Sequence, residues 1–196
     1  MLKEKGLKTV LVSNGYVNPA PLKELIGQMD AINVDLKSMR EDFYKKICKG
    51  KLQPVLDNIR TIGESNVHLE LTTLLIPGLN DSDEELRELI DFVAEIDRRI
   101  PLHFSAFHPQ HKMRDRQRTP EDILLHAREL AREKLDYVFL GNVALEGTSD
   151  THCANCGHLL ISRDWYSTNT VGLDTSTCEK CAQETGIVGV GQEASH

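Results

Sequence analysis

Five short apolar runs alternate with amphipathic helical stretches through the first 140 residues, and this alternation constrains the fold more than any other feature of the chain. Strand–helix–strand order implies parallel βα units, because a parallel neighbour is reached only through a long crossover. The pattern predicts strands over 8–13, 31–36, 67–76, 102–107 and 137–140. Between them it predicts helices over 21–29, 41–48 and 54–64. A further helix opens at Ser82, where Glu85 three residues on completes a capping box. Its buried stripe is Leu86, Leu89, Ile90, Val93 and Ile96. Another is capped by Thr119, with Pro120 at its first position and Ile123, Ala127, Leu130 and Ala131 on its apolar face.

A closed eight-stranded barrel needs roughly 250 residues, and only about 145 precede the cysteine-rich end of this 196-residue chain. The expected architecture is therefore α/β, a partial (βα) barrel over residues 1–145. The chain starts almost directly in a strand, so sequence upstream is expected to be missing. From Gly147 the helical period is lost and Ser, Thr, Gly and Cys dominate. Residues 146–196 are read as a linker, a small metal ribbon and a disordered tail.

The ribbon carries the most specific motif. Cys153-x-x-Cys156 and Cys178-x-x-Cys181 are separated by 21 residues. Two such knuckles make a tetrahedral four-thiolate site for zinc, with iron sharing the ligand set. Gly157 follows the first knuckle as the tight turn requires; Ala182 takes that place in the second. His152 and His158 adjoin the cysteines as substitute ligands. Two segments, 159–162 and 165–167, read as a hairpin with Trp165 capping a core too small to fold without metal. Cys48, the fifth cysteine, stands alone and reads as a half-buried structural thiol.

Charge and hydropathy narrow the partners. A net charge of −7 argues against nucleic acid. No apolar run approaches ~18 residues, so no membrane span is expected. The N-terminus lacks a signal-peptide core, which makes the cytosol the expected compartment. Asn80-Asp81-Ser82 matches a glycosylation acceptor but reads as loop and helix cap.

Strand parity points to a site. In 32–37, Ile32, Val34 and Leu36 share one face, and Asn33, Asp35 and Lys37 share the other. In 67–76, His68, Glu70 and Thr72 share a face opposite Val67, Leu69 and Leu71. A barrel interior lined only for packing would carry branched apolar residues, and buried charges need partners. Asp35 and Lys37 are spaced to pair with each other. Ser13-Asn14-Gly15 and His108 follow two other strands at the end where α/β barrels place their active rim.

The ordered set SNGY (13–16), DLK (35–37), TTLLIPGLND (72–81), HFSAFHP (103–109) and YVFLGNV (137–143), followed by the cysteine ribbon, resembles the radical S-adenosylmethionine enzymes. Within them it is most similar to the AmmeMemoRadiSam system enzyme, a relative of the pyruvate formate-lyase activating enzymes. The resemblance implies a six-stranded partial barrel in which a [4Fe–4S] cluster reduces S-adenosylmethionine to a 5′-deoxyadenosyl radical. It implies that Asp35 and Lys37 hold the methionine end of the cofactor, with Ser13 and Asn14 beside it or at a cation site. Thr72 and Leu74 would line the nucleoside pocket, and His108 would contact the cofactor. It also implies companion proteins of the same system.

Two family motifs are absent from the sequence: CxxxCxxC and GGE. The expectation is a truncated chain holding only the later strands, without the cluster ligands and inactive alone. Two other readings compete. One is a non-catalytic scaffold whose ribbon docks a protein. The other is an unrelated α/β enzyme using Lys37 as a Schiff-base nucleophile.

Overall fold

The computed structural model describes residues 5–164 and 167–188. They form two compact units, Met1–Val143 and Ala144–His196.

The first unit alternates strand and helix as the periodicity requires. Strands are β1 (Val10–Ser13), β2 (Ala31–Asp35), β3 (His68–Leu75), β4 (Leu102–Ala106) and β5 (Val138–Gly141). Helices are α1 (Pro19–Gln28), α2 (Glu41–Phe43), α3 (Gln53–Gly63), α4 (Asp83–Ile96) and α5 (Glu121–Arg132). A π-helical turn over Tyr44–Cys48 continues α2. All four strand pairings are parallel, in the order β1-β2-β3-β4-β5. Right-handed crossovers between consecutive neighbours put every connecting helix on the same side of such a sheet. This is the singly wound wall of a barrel, with one face packed and one open.

The packed face is built from Ile32, Val34, Leu36, Leu69, Leu71, Leu75, Leu102 and Phe104, all buried. Against it stand Val55, Ile59 and Ile62 of α3, Leu86, Leu89, Ile90 and Val93 of α4, and Leu124, Ala127 and Leu130 of α5. Each large side chain so buried contributes about 1.5–3 kcal/mol. On α5, Leu124 is buried and Ile123 only partly so, which moves the apolar stripe one position from its expected start.

Two capping expectations are corrected. Ser82 Oγ does accept from Glu85 N at 3.3 Å, but the Glu85 carboxylate does not reach back to Ser82. It is buried, bonded to Ser38 Oγ, and accepts from Met39 N at 2.9 Å, so it secures the segment leaving β2. Thr119 does not cap α5; its hydroxyl donates to Leu75 O at 2.6 Å and accepts from Phe107 N at 2.8 Å. Pro120 is itself the N-cap. In both cases a tertiary partner outbid the local one, and only chain-distant carbonyls and amides explain the choice.

The second unit is all β. β6 (Thr151–His152), β7 (Leu159–Asp164) and β8 (Ser167–Thr170) form one antiparallel sheet. β9 (Leu173–Asp174) and β10 (Thr177–Cys178) form a second. Cys153, Leu160, Ile161 and Cys178 make its core, with Cys156, Leu173, Cys181 and Ile187 packed on it. Asp164 pairs with Ser167, so a hairpin forms, with its second strand over Ser167–Thr170 rather than the expected 165–167. Trp165 and the tail beyond Val188 lie outside the described residues.

Candidate cofactor site and metal centre

The open face of the first unit carries the polar side chains. Strand pairing aligns Asn33 with Glu70, Asp35 with Thr72, Thr72 with His103, and His103 with Phe139. One row nearer the C-terminal ends, Leu74 pairs with Ser105 and Ser105 with Gly141. Lys37 Nζ lies 2.8 Å from Asp35 Oδ2, and both side chains are about one-third exposed, at 36% and 35%. Thr72 Oγ1 donates to Asn33 Oδ1 at 3.0 Å.

The backbone around this pair is fixed by buried polar groups. Asn80 is 2% exposed and saturates its amide. Its Nδ2 donates to Lys37 O at 2.6 Å and Leu74 O at 2.9 Å, and its Oδ1 accepts from Ile76 N at 2.7 Å. It thereby ties the exits of β2 and β3 together, which leaves no room for a glycan. Lys37 N donates to Tyr44 Oη at 3.2 Å. Burial above all pushes the Tyr44 phenol up to about 12 against that bond, with Cys48 and Asp35 adding to the rise. Arg40 faces Glu84, Glu85 and Glu88, and its hydrogen bond to Glu88 is the main cause that raises its guanidinium further.

The loop after β1 is built as tightly. Gly15 has φ +69°, and a Cβ there would meet Val34 Cγ1 at 2.7 Å. Asn58 Nδ2, buried on α3, donates to Gly15 O and Val17 O, both at 2.8 Å. Asn14 is exposed, with Oδ1 accepting from Tyr16 N at 3.0 Å. Ser13 is paired with Val34, on the packed face, and its Oγ accepts from Gly15 N at 3.1 Å. It shapes the turn rather than sharing the Asp35 face.

The structure thus joins Asp35 to Lys37 and puts Thr72 and Leu74 on the neighbouring strand. His108 stands further off, beyond the end of β4 and two strands from the pair. Its Nε2 lies 3.1 Å from Asn142 O, and the ring is exposed.

One open-face residue, His103, was not singled out from sequence, although His68 and Glu70 were. His103 Nε2 lies 3.0 Å from Glu70 Oε2, while His68 Nε2 lies 3.1 Å from Glu70 Oε1. The His103 hydrogen bond first, then His68, holds the Glu70 carboxyl well below the usual carboxylate range, against its burial. The His103 ring lies 5.2 Å from that of Phe139. The signal for it was available in the alternation of His103 and Ser105 with Leu102, Phe104 and Ala106.

In the second unit, the Sγ atoms of Cys153, Cys156, Cys178 and Cys181 all lie within 4.8 Å of one another. Cys153 and Cys181 are 3.7 Å apart, as are Cys156 and Cys178. Bonds of ~2.3 Å to one tetrahedral ion place thiolates about 3.7 Å apart, so the donor set fits a single zinc or iron. Gly157 (φ +70°) and Ala182 (φ +57°) take the same left-handed conformation after the two knuckles. Gly157 N donates to Cys153 O at 2.9 Å and Ala182 N to Cys178 O at 2.8 Å, closing equivalent turns. Asn155 donates to Cys181 Sγ at 3.6 Å and is the main cause lowering that thiol to about 6. His158 faces Glu179 at 3.2 Å, and among the described residues only the four cysteines form a metal-competent group. These thiols are spaced for one ion rather than for a cubane. Cys48, at the end of the π turn, has its thiol raised by burial against the pull of Lys37. Apart from these four, no group of three thiols that could hold a [4Fe–4S] cluster exists among the described residues.

The chain matches the model of the radical SAM superfamily over residues 1–93. It is related to the activating enzymes of glycyl-radical enzymes. An uncharacterized protein of Methanocaldococcus jannaschii is 41% identical over 190 residues, covering 95% of this chain and 56% of that one. A second protein of that organism, provisionally named as a glycyl-radical enzyme activating enzyme, is 31% identical over 144 residues (70% and 54% of the two chains). The chain spans about half the length of these curated relatives. In fold it is similar to the crystal structure of a domain of a pyruvate-formate lyase-activating enzyme from Bacteroides vulgatus. That likeness has a TM-score of 0.62 at 19% identity and covers 71% of this chain and 84% of the other. No helix among the described residues is long and apolar enough to cross a membrane.

Proposed function

We propose that this chain forms the cofactor-binding part of a cytosolic radical S-adenosylmethionine enzyme of the AmmeMemoRadiSam system, acting with companion proteins of that system. The observation that carries the reading is the Asp35–Lys37 pair, held at 2.8 Å on the open face within the matched residues. A carboxylate beside an ammonium suits a zwitterion, with Asp35 accepting from the methionine ammonium and Lys37 meeting its carboxylate. Thr72 and Leu74 offer a hydroxyl and an apolar flank to the nucleoside. Asn14 lies at the edge beside them, Ser13 shapes that edge from beneath, and His108 borders the rim from β4. Beside a [4Fe–4S] cluster held by residues other than these, bound S-adenosylmethionine would supply a 5′-deoxyadenosyl radical. Because these residues give no cluster ligands, the 196-residue chain is a truncated form that binds the cofactor without cleaving it. Lys37 faces Asp35 rather than an apolar pocket, which disfavours the Schiff-base alternative.

Amide chemical shifts on titration with S-adenosylmethionine test the reading. Perturbations concentrated at Asn14, at 35–38 and at 72–76 are expected. Perturbations confined to the ribbon, or none, contradict it.

A further inference from the structure

The loop over 108–118 stands apart from the rest of an acidic chain. It carries Lys112, Arg114, Arg116 and Arg118 against a single acid, Asp115, within a protein of net charge −7. Elsewhere cations are commonly engaged: Arg40 faces three glutamates, Arg98 faces Asp136, and Arg99 faces Asp97. Lys112, Arg114 and Arg118 are exposed and have no ion-pair partner among the described residues. The loop is nevertheless built, not slack. Its base is closed by Phe107 N donating to Thr119 Oγ1 at 2.8 Å and Thr119 N donating to Phe107 O at 3.1 Å. Thr119 is buried and anchored to Leu75 O, and Arg116 Nη1 donates to Pro77 O at 3.4 Å. A His111–Met113 3₁₀ turn, with His111 at φ +48°, shapes its middle. These anchors hold the charged loop beside the C-terminal ends of β3 and β4. Compact loops of this kind with closed bases are often functional.

We propose that the 108–118 loop docks an acidic segment of a protein partner at the rim of the sheet. Guanidinium groups suit carboxylates, which they meet with two parallel hydrogen bonds. The remaining chain is acidic enough to repel a long polyanion such as nucleic acid, whereas a short acidic segment meets only the loop. The docking extends the function proposed above and rests on it for one thing only, namely that the docked partner lies beside the cofactor site.

Fluorescence anisotropy of the 196-residue chain with a short fluorescein-labelled oligoglutamate peptide tests it, at roughly 0.1 M salt, where screening acts over about 10 Å. The variants are Arg114→Glu with Arg118→Glu, and Lys23→Glu on α1 as a charge control; thermal melts confirm that both fold. Saturable binding is expected for wild type and the control, weakened about tenfold or more by the loop reversal. Equal binding by the loop variant, no binding by wild type, or tighter binding of a single-stranded oligonucleotide of equal charge would overturn it. S-adenosylmethionine binding is measured on the same samples. Cofactor binding without peptide binding sinks the docking alone, and peptide binding without cofactor binding sinks the cofactor reading alone.

Discussion

Asp35 and Lys37 hold each other at 2.8 Å, the one as the last residue of β2 and the other just beyond it. Leu36 between them is fully buried on the opposite face. Strand alternation therefore forces both charges onto the open side, and their mutual contact keeps them poised there. The pair depends on the backbone that leaves β2, which Asn80, Tyr44 and Glu85 each secure.

Asn80 is the most consequential of these anchors. Asn80→Ala leaves Lys37 O, Leu74 O and Ile76 N without their partner. Unmade buried bonds cost about 1–3 kcal/mol each, only partly recovered by water, so a loss of ~2–4 kcal/mol is expected. Urea unfolding of the two proteins measures it. A loss under ~1 kcal/mol would show that the clamp is dispensable.

Tyr44 gives a pH signature. Its folded-state pKa is raised to about 12, above the ordinary tyrosine value. The unfolded chain ionises first as pH rises, so the stabilisation is complete below about pH 10 and is lost progressively between about 10 and 12. The loss is roughly 2 kcal/mol across that window. Tyr44→Phe removes this slope, and the difference between the two pH–stability curves isolates it from the lysines. Parallel curves would contradict the assignment.

Much of this was legible in the sequence. The five strands, their parallel order and the polar parity of β2 and β3 follow from period-two and period-3.6 patterns. The four cysteines follow from knuckle spacing. What sequence missed were long-range choices. Thr119 and Glu85 carry local capping signals yet bond to groups 44 and 46–47 residues away. His108 and Asp35 both end strands, and the strand order sets those ends two strands apart, a spacing that neither segment displays by itself. The Glu70–His103 contact needed the β3–β4 register, which no single strand displays.

The ribbon should bind one zinc or iron per chain. Elemental analysis is expected to give one ion for wild type and a large loss for Cys156→Ser. Equal content in the two would remove the four-thiolate assignment.

Ala182 occupies a left-handed position where its counterpart is Gly157. A side chain there costs about 1–2 kcal/mol per residue. Ala182→Gly should therefore slow metal loss to a chelator and stabilise the ribbon by ~1 kcal/mol, less the extra chain entropy of glycine. Faster metal loss would show that the two knuckles are not equivalent.

The Asp35–Lys37 pair is proposed to receive the amino-acid end of S-adenosylmethionine. Isothermal titration of that cofactor into wild type, Asp35→Ala and Lys37→Ala tests it most directly, with thermal stability recorded on each sample. Saturable binding to wild type is expected, with at least ~tenfold weaker binding to each variant, about 1.4 kcal/mol or more. Binding of equal strength by folded Asp35→Ala and Lys37→Ala proteins would contradict it.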